Sequence, residues 1–463
     1  MVLKIKPQHK QFNLRVGKAG LPPLLNFMNF VESSQYLLSL GHETLAMKLG
    51  LRNTELLLER LGQPQASYEV VQIAGTNGKG STAVMLDSIC RAAGISTGLY
   101  TSPHLISITE RISINGSSIS KETFATLATE VRAAADDLLK GGRIEALPTF
   151  FEHLTAIALL AFRAGDVNLV ILETGLGGRL DATTVAGAKT VAITPIALDH
   201  QEYLGETVAS IAAEKAAIIH SGVTAIIAPQ TSAARDVIMK RCDECGVVPI
   251  LETGEYKKVS TTSDGRLAVT FETDADHYQD VKLGLRGRHQ LQNAALAVRL
   301  AESLRNRGFR IPKAAIINGL ETAQHFGRLS SFGGSMLLDG AHNPAAARAL
   351  RNYLDEFVAA PLTLIFGAMR DKQLDEMAQI LFPQAEHLVL TQPNNIRAAT
   401  VDSLLAVAKK HIVSERILVA PRVSNALETA RRITSAGGTI CVTGSLYLIG
   451  EACAELEKRQ KVD

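Results

Sequence analysis

Little in this 463-residue chain points outward, to a membrane, a nucleic acid or an oxidising compartment. No run of apolar residues approaches the roughly 20 that a bilayer span needs. No charge of either sign dominates: 48 Lys and Arg stand against 46 Asp and Glu, a net charge of +2, which argues against an extended nucleic-acid footprint. The five cysteines, Cys90, Cys242, Cys245, Cys441 and Cys453, are sparse and odd in number, so they read as reduced thiols rather than a disulfide framework. Cys242-Asp-Glu-Cys245 has metal-like spacing but no second ligand pair nearby, and reads as the end of a surface helix. Lys4, Lys6 and Lys10 have no apolar core after them, so the amino end does not read as a signal peptide. Internal repeats and low-complexity tracts are missing too. The expected setting is the cytoplasm, with neither membrane nor nucleic acid as partner.

What is present is a large apolar fraction, 46%, with 20% charged residues, enough for a sizeable core. At about 150 residues per domain, the length suggests two or three domains. Strand-like runs at Val70–Ala74, Gly98–Thr101, Val167–Glu173, Val191–Thr194 and Thr224–Ala228 alternate with helical patterns, the signature of parallel βαβ units. The run 167–172 is nearly continuous in apolar residues, as a strand covered on both faces should be. Between 255 and 285 the character changes: β-rich Val259–Thr262 and Leu267–Glu272 flank the turn signal Ser263-Asp264-Gly265-Arg266, predicting a small antiparallel section. A helix from His289 to about Arg307 follows. After Gly327-Arg328 a second α/β series begins, with strands expected at Met336–Leu338, Leu362–Phe366, Leu388–Thr391, Ile417–Ala420 and Thr439–Thr443. The expected divisions are an extension over 1–35, a first domain over 36–327 and a second over 328–463.

The richest segment is Gly75-Thr76-Asn77-Gly78-Lys79-Gly80-Ser81, set between an apolar run and a helical pattern. Glycines let backbone wrap an anion, helix-opening N–H groups point at it, and Lys79 adds a mobile positive charge. The standard phosphate-loop pattern would put a glycine where Ile73 stands and a hydroxyl where Gly80 stands. A ligand-free glycine turn is the bland alternative.

Other polar residues sit at expected strand ends, where parallel sheets bind ligands. Glu173 precedes the glycine-rich 174–181 and could bind Mg²⁺ or simply cap a helix. Asp199-His200 could supply a metal ligand or a base; a lone histidine is more often structural. Ser102-Pro103-His104 could bring a hydroxyl to a metal or form a plain turn. Asp339-Gly-Ala-His342-Asn343-Pro344 could carry an acid and an imidazole over a partner domain's site, or form an Asx-type turn capping the helix from Pro344. Arg328 could clamp a phosphate or solvate a hinge. Their joint placement favours one site between two α/β domains.

Read together, these strings resemble the folylpolyglutamate synthase/dihydrofolate synthase family of the Mur ligase superfamily. The carriers are GTNGKGS (75–81), TSPHL (101–105), ERISING (110–116), PTFFE (148–152), LETGLGGRLDAT (172–183), LDH (198–200), EKAAI (214–218), HQLQNAALA (289–297), GR (327–328), DGAHNP (339–344) and VTGSLYLIGEA (442–452), in family order. The resemblance implies an α/β protein: a Mur-ligase-type P-loop ATP-binding domain containing the small antiparallel β section, then a Rossmann-like C-terminal domain. It implies an ATP- and Mg²⁺-dependent ligase that phosphorylates a folate-type carboxylate and joins it to L-glutamate, acting on tetrahydrofolate and also on dihydropteroate, as a monomer. By position, Gly75, Thr76, Asn77, Gly78, Lys79, Gly80 and Ser81 would hold the ATP phosphates. Asn293, Arg328 and Asp339 would also bind ATP, with His342 beside them. Ser102, Glu173 and His200 would hold Mg²⁺, and Lys215 would be the lysine that relatives carry as a carbamate, N6-carboxylysine. Thr149, Phe150, Phe151 and Glu152 would line the pterin side, with Leu180 nearby. Lys79, Lys215, His200 and His342 would be the catalytic set.

The chain departs from the family pattern at Thr184, where Asn is usual, and at Ala217, where Gly is usual; alanine is harmless inside a helix. Three other readings compete. A ligase acting on another acid, such as a peptidoglycan precursor, is disfavoured by PTFFE and TSPHL. A nucleotide-binding switch would need no second domain bearing Asp339 and His342. A catalytically dead binding module would be expected to have lost Lys79 or Glu173.

Overall fold

The computed structural model describes residues 27–41, 50–252, 256–262, 265–358 and 361–460. The basic stretch from Lys4 to Lys18, and Ser263 and Asp264 of the expected turn, lie outside them. Among the described residues the strands form three sheets. The first contains β1 (Glu69–Ala74), β2 (Thr97–Tyr100), β3 (Ile112–Ile114), β4 (Ser117–Ser118), β5 (Leu169–Glu173), β6 (Thr190–Ile193), β7 (Thr224–Ile227) and β8 (Ile250–Leu251), in the order β4-β3-β2-β5-β1-β6-β7-β8. From β2 to β8 the neighbours run parallel, while β3 and β4 are antiparallel additions at one edge. β5 is buried along its whole length, as its unbroken apolar run requires.

The chain leaves β1 toward β2 on one side and returns to β6 on the other. That reversal opens a crevice at the carboxyl end of β1, where open α/β sheets bind ligands. The loops after β1, β2, β5 and β6 meet there.

The second sheet is antiparallel: β9 (Tyr256–Thr261), β10 (Leu267–Glu272) and β11 (His277–Lys282), with β10 central. Val269, Phe271 and Tyr278 join the core under the helices Lys79–Ala92 and His289–Asn306. The third sheet holds β12 (Ser330–Phe332), β13 (Met336–Asp339), β14 (Leu362–Phe366), β15 (His387–Leu390), β16 (Ile417–Val419) and β17 (Thr439–Thr443), in the order β12-β13-β17-β14-β15-β16. All but β12 run parallel to their neighbours.

The expected parallel strands are present to within two residues at either end. The hairpin β3–β4, the edge strand β8 and β12 went unread, being two or three residues long, too short for a period to show. The packed chain also starts earlier than residue 36. The helix Phe30–Ser39 is closed by an Asn29–Glu32 capping box and pinned by Tyr36 Oη, 3.1 Å from His153 Nε2. Cys242 is buried at the end of the helix Ser232–Glu244 and Cys245 donates to the Ile219 carbonyl, so this pair is spent on packing. No helix of the described residues is long and apolar enough to cross a membrane.

Candidate functional site

β1 ends at Ala74, and the following turn feeds the helix Lys79–Ala92. Two of its glycines are sterically required. Gly75 has φ +144°, and a Cβ there would lie 1.8 Å from Thr194 Oγ1; Gly78 has φ +93°, and a Cβ would lie 2.2 Å from Asn293 Oδ1. Gly78 is the N-cap residue and no side chain caps the helix, so its opening N–H groups remain for a ligand. Thr76 stitches the turn to the loop after β6, donating to the Ala197 carbonyl (3.0 Å) and accepting from Ala197 N (3.1 Å). Lys79 Nζ rests 3.3 Å from the Thr76 carbonyl.

Glu173, the last residue of β5, is 5% exposed and accepts from Ser102 N at 3.1 Å. Burial pushes its pKa up, opposed by Lys79, the Ser102 N–H, Arg328 and Arg111. His200 occupies the left-handed region (φ +50°) as N-cap of the short helix Gln201–Leu204. Burial depresses its pKa to about 3 even though Asp199 acts against the shift, so it is neutral.

Lys215, in the helix Val208–Ala216, is 4% exposed. Burial first, and then the Lys79 charge, pull it from 10.5 to about 7, with Asp199 and Asp181 acting the other way. No hydrogen bond or ion pair holds its Nζ among the described residues. At neutral pH a large share of this amine carries no proton.

From the other side come residues of the third sheet. Asp339 ends β13 and spends both carboxylate oxygens on backbone N–H groups, accepting from Ala341 N in its own turn (3.0 Å) and from Leu329 N just before β12 (2.9 Å). Asn343 Oδ1 caps the helix Pro344–Phe357 by accepting from Ala346 N at 2.9 Å. Its Nδ2 crosses to the first sheet, donating to Asn77 Oδ1 and Asp199 Oδ2, both at 3.0 Å. His342 Nδ1 donates to the Gly340 carbonyl (2.8 Å), and its Nε2 lies 3.6 Å from Asp199 Oδ2. Lys372, from the loop after β14, reaches Asp199 Oδ1 at 2.5 Å. Burial pushes Asp199 up, but the neighbouring His342 imidazole and the Lys372 charge outweigh it and hold the carboxyl well below its ordinary range.

These groups line one cavity of about 450 Å³. The structure brings to it Gly75 through Ser81, Ser102, Thr149, Phe151, Glu152, Glu173, Leu180, His200, Lys215, Asn293, Arg328, Asp339 and His342. Phe150 is the exception. It is 5% exposed and packs in the core beneath the Arg111 guanidinium, 5.7 Å from its ring centroid. Adjacent positions of a helix face different ways, and Phe151 took the cavity side. Thr149 and Glu152 form the capping box of the helix Phe150–Ala164, and Glu152 also accepts from Thr54 Oγ1 at 2.7 Å, so its carboxylate is committed to structure.

Sequence reasoning missed Asp181, Gln290, Lys372, Met369, Arg397 and Tyr447, which also line the cavity. For Lys372 and Met369 the strand-end rule applied to β14 would have raised the signal; the others sit within quoted strings or on irregular loops.

Residues 73–301 match the Mur ligase middle domain, and residues 327–446 match the Mur ligase glutamate ligase domain. The chain is 32% identical to the dihydrofolate synthase/folylpolyglutamate synthase of Mycobacterium tuberculosis, over 87% of this chain and 89% of that protein. It is 36% identical to a probable bifunctional folylpolyglutamate synthase/dihydropteroate synthase of Halobacterium salinarum, over 92% of this chain and 51% of the relative, so it spans about half that protein's length. Among solved structures, Mycobacterium tuberculosis folylpolyglutamate synthase complexed with ADP superimposes with a TM-score of 0.86 at 30% identity, covering 92% of this chain and 97% of that one.

Proposed function

Since the chain belongs to the folylpolyglutamate synthase/dihydrofolate synthase family of Mur ligases, we propose that it joins L-glutamate to folate-type acids with ATP as the driving reactant, accepting both dihydropteroate and reduced folates. The observation that carries this reading is the single cavity in which an uncapped, glycine-rich helix start, a buried carboxylate and a depressed lysine meet polar groups from a second sheet. The division into units at 327/328 belongs to the same proposal, and is supported by Gly327-Arg328 lying between the helix Lys313–Thr322 and β12. So do a cytoplasmic setting, a monomer, and ATP, L-glutamate and the folate-type acid as the only partners.

The triphosphate would lie along Gly75 to Ser81, with Lys79 and Arg328 neutralising its charge and Asn293 and Asp339 bordering the nucleotide. Mg²⁺ fits the donors present. No group of three or more His, Cys, Asp and Glu is arranged to hold a metal among the described residues. Mg²⁺ asks for less, one or two carboxylates with its remaining positions left to phosphate and water. Glu173, Ser102 and neutral His200 would hold it, and it would supply charge neutralisation of the phosphates. With a pKa of about 3, His200 serves better as such a donor than as a proton acceptor.

The acceptor's carboxylate oxygen attacks the γ-phosphorus of ATP, releasing ADP and leaving an acyl phosphate. The glutamate amine then attacks the acyl carbon, phosphate departs, and an amide remains. The attacking amine must shed protons. His342 has Nδ1 fixed as a donor and can take one at Nε2, and Asp199 at 3.6 Å would stabilise the imidazolium. Enclosure between the two units keeps water from the acyl phosphate. The unpaired Lys215 amine can add CO₂ to form a carbamate and release a proton, turning a cation into an anion beside the phosphates. Phe151 and Leu180 would cover the pterin.

The direct test is ADP release by the purified protein with Mg-ATP and L-glutamate, in parallel with dihydropteroate, tetrahydrofolate or no acceptor, products being weighed by mass spectrometry. Turnover with both acceptors is expected. Turnover with neither would return weight to another acid or to a nucleotide-binding switch.

A further inference from the structure

The mechanism leaves the imidazole of His325 unused. His325 lies in the connector between the helix Lys313–Thr322 and β12, three residues before Arg328. Its Nδ1 is 3.3 Å from Ser81 Oγ, the hydroxyl at the end of the phosphate loop. Its Cε1–Nε2 edge lies over Gly80: a Cβ there would sit 2.8 Å from His325 Cε1 and 3.2 Å from Glu173 Oε2. Gly80 therefore does more than bend the loop. Its missing side chain is what lets an imidazole from the connector and a carboxylate from β5 approach the loop together.

Ser81 is 4% exposed, and its oxygen has a second neighbour: Gln290 Nε2 donates to it at 3.4 Å, while Gln290 Oε1 accepts from Asn293 Nδ2 at 2.9 Å. A hydroxyl that accepts from Gln290 has its proton left to give, and His325 Nδ1 is the acceptor beside it. Burial and the Arg328 charge keep this imidazole neutral, with a pKa depressed to about 3. With its proton given to His325 and one lone pair used by Gln290, Ser81 Oγ has one lone pair remaining. That lone pair faces the cation carried by the nucleotide's phosphates, while the phosphate oxygens themselves are left to the loop's N–H groups and Lys79.

We propose that His325 is a positioning residue of the phosphate loop, accepting the Ser81 proton so that the loop's hydroxyl is oriented for nucleotide only when the connector between the two units is docked. The proposal rests on the nucleotide reading of residues 75–81. It assigns the connector two contributions to one site: Arg328 supplies charge, and His325 sets the direction of a hydroxyl.

The test compares His325→Phe, which keeps a ring and removes both nitrogens, with His325→Asn, whose amide can stand in for Nδ1. Each is also combined with Ser81→Ala. ADP and Mg-ATP affinity are measured by calorimetry, and KM for ATP and kcat by steady-state ligation. His325→Phe is expected to weaken Mg-ATP binding and raise KM for ATP by about fivefold, the effect of one lost hydrogen bond, with a much smaller change in kcat and an unchanged melting temperature without ligand. His325→Asn should recover most of the loss, and His325→Phe should add nothing in the Ser81→Ala background. Wild-type affinity in His325→Phe, or losses that multiply in the double variant, overturns the inference while leaving the ligase reading intact. A wild-type protein that binds neither ADP nor Mg-ATP overturns both.

Discussion

Two strand–turn–helix corners face each other across the cavity, and they treat their helix starts in opposite ways. After β1, Gly78 leaves the helix Lys79–Ala92 without a side-chain cap, and the turn's polar groups are open to the cavity. After β13, the turn satisfies itself: Asp339 accepts two of its own neighbourhood's N–H groups, Asn343 caps the helix, and Pro344 removes a donor at the first helical position. The first corner leaves its helix-opening N–H groups without a side-chain partner. The second caps its own helix and projects His342 and the Asn343 amide toward the first. The same local architecture thus yields a binding site or a rigid arm according to whether side chains consume the helix's free N–H groups.

The contrast is most severely tested at Lys79. Lys79→Ala is expected to lower ATP turnover by on the order of a hundredfold or more, with the circular dichroism spectrum and melting temperature kept. A variant retaining full activity would break the assignment of the open corner to phosphate. Lys215→Ala comes next, with a loss of about a hundredfold that added bicarbonate does not repair.

The same lysine sets a pH dependence whose sign follows from its depressed pKa. Below about 7 the amine is protonated and cannot add CO₂, so kcat at fixed bicarbonate should fall as pH drops through 7. An acid limb that is identical in wild type and in a Lys215→Ala variant with residual activity would exclude this origin. Between about 7 and 10.5 the unfolded chain binds the proton that the folded chain has released. This group's contribution to folding stability therefore rises with pH across that window, and is least favourable below it.

At the closed corner the effects should be milder. Asn343→Ala removes the helix cap and both bonds to the first unit, and is expected to cost about 1 kcal/mol in stability together with a modest loss of activity. Asn343→Ser keeps a capping oxygen but lacks the reach to Asn77 and Asp199, so stability should be restored while the activity defect persists. Calorimetry and steady-state rates on the pair separate the two roles; if both defects are restored together, the cross-unit bonds contribute nothing.

Much of the framework could be read before any coordinates. The parallel strands announced themselves because a strand covered on both faces must be largely apolar, and β5 up to Glu173 and β14 apart from Thr363 are. The open corner was equally visible, since Gly75 and Gly78 take backbone angles that other residues avoid and their spacing survives in one dimension. Side-chain direction did not survive. Phe150 and Phe151 are equivalent as letters, and only the rotation of their helix against the first sheet sent one to the core and the other to the cavity. Glu152 lines the cavity as expected, but its carboxylate is taken by Thr54 and its own helix cap.

The sequence by itself determined the alternation of strands and helices, the glycines that permit the open turn, and the capping residues that close the other, because these depend on neighbours a few positions apart. Tertiary structure alone decided the rest. It placed Lys372 and Asn343 on Asp199, 173 and 144 residues away, set His325 on Ser81 244 positions back, and withdrew Lys215 from water until its amine lost its ordinary basicity. Burial and charge pairing are properties of the space between segments, and that space exists only once the chain has folded.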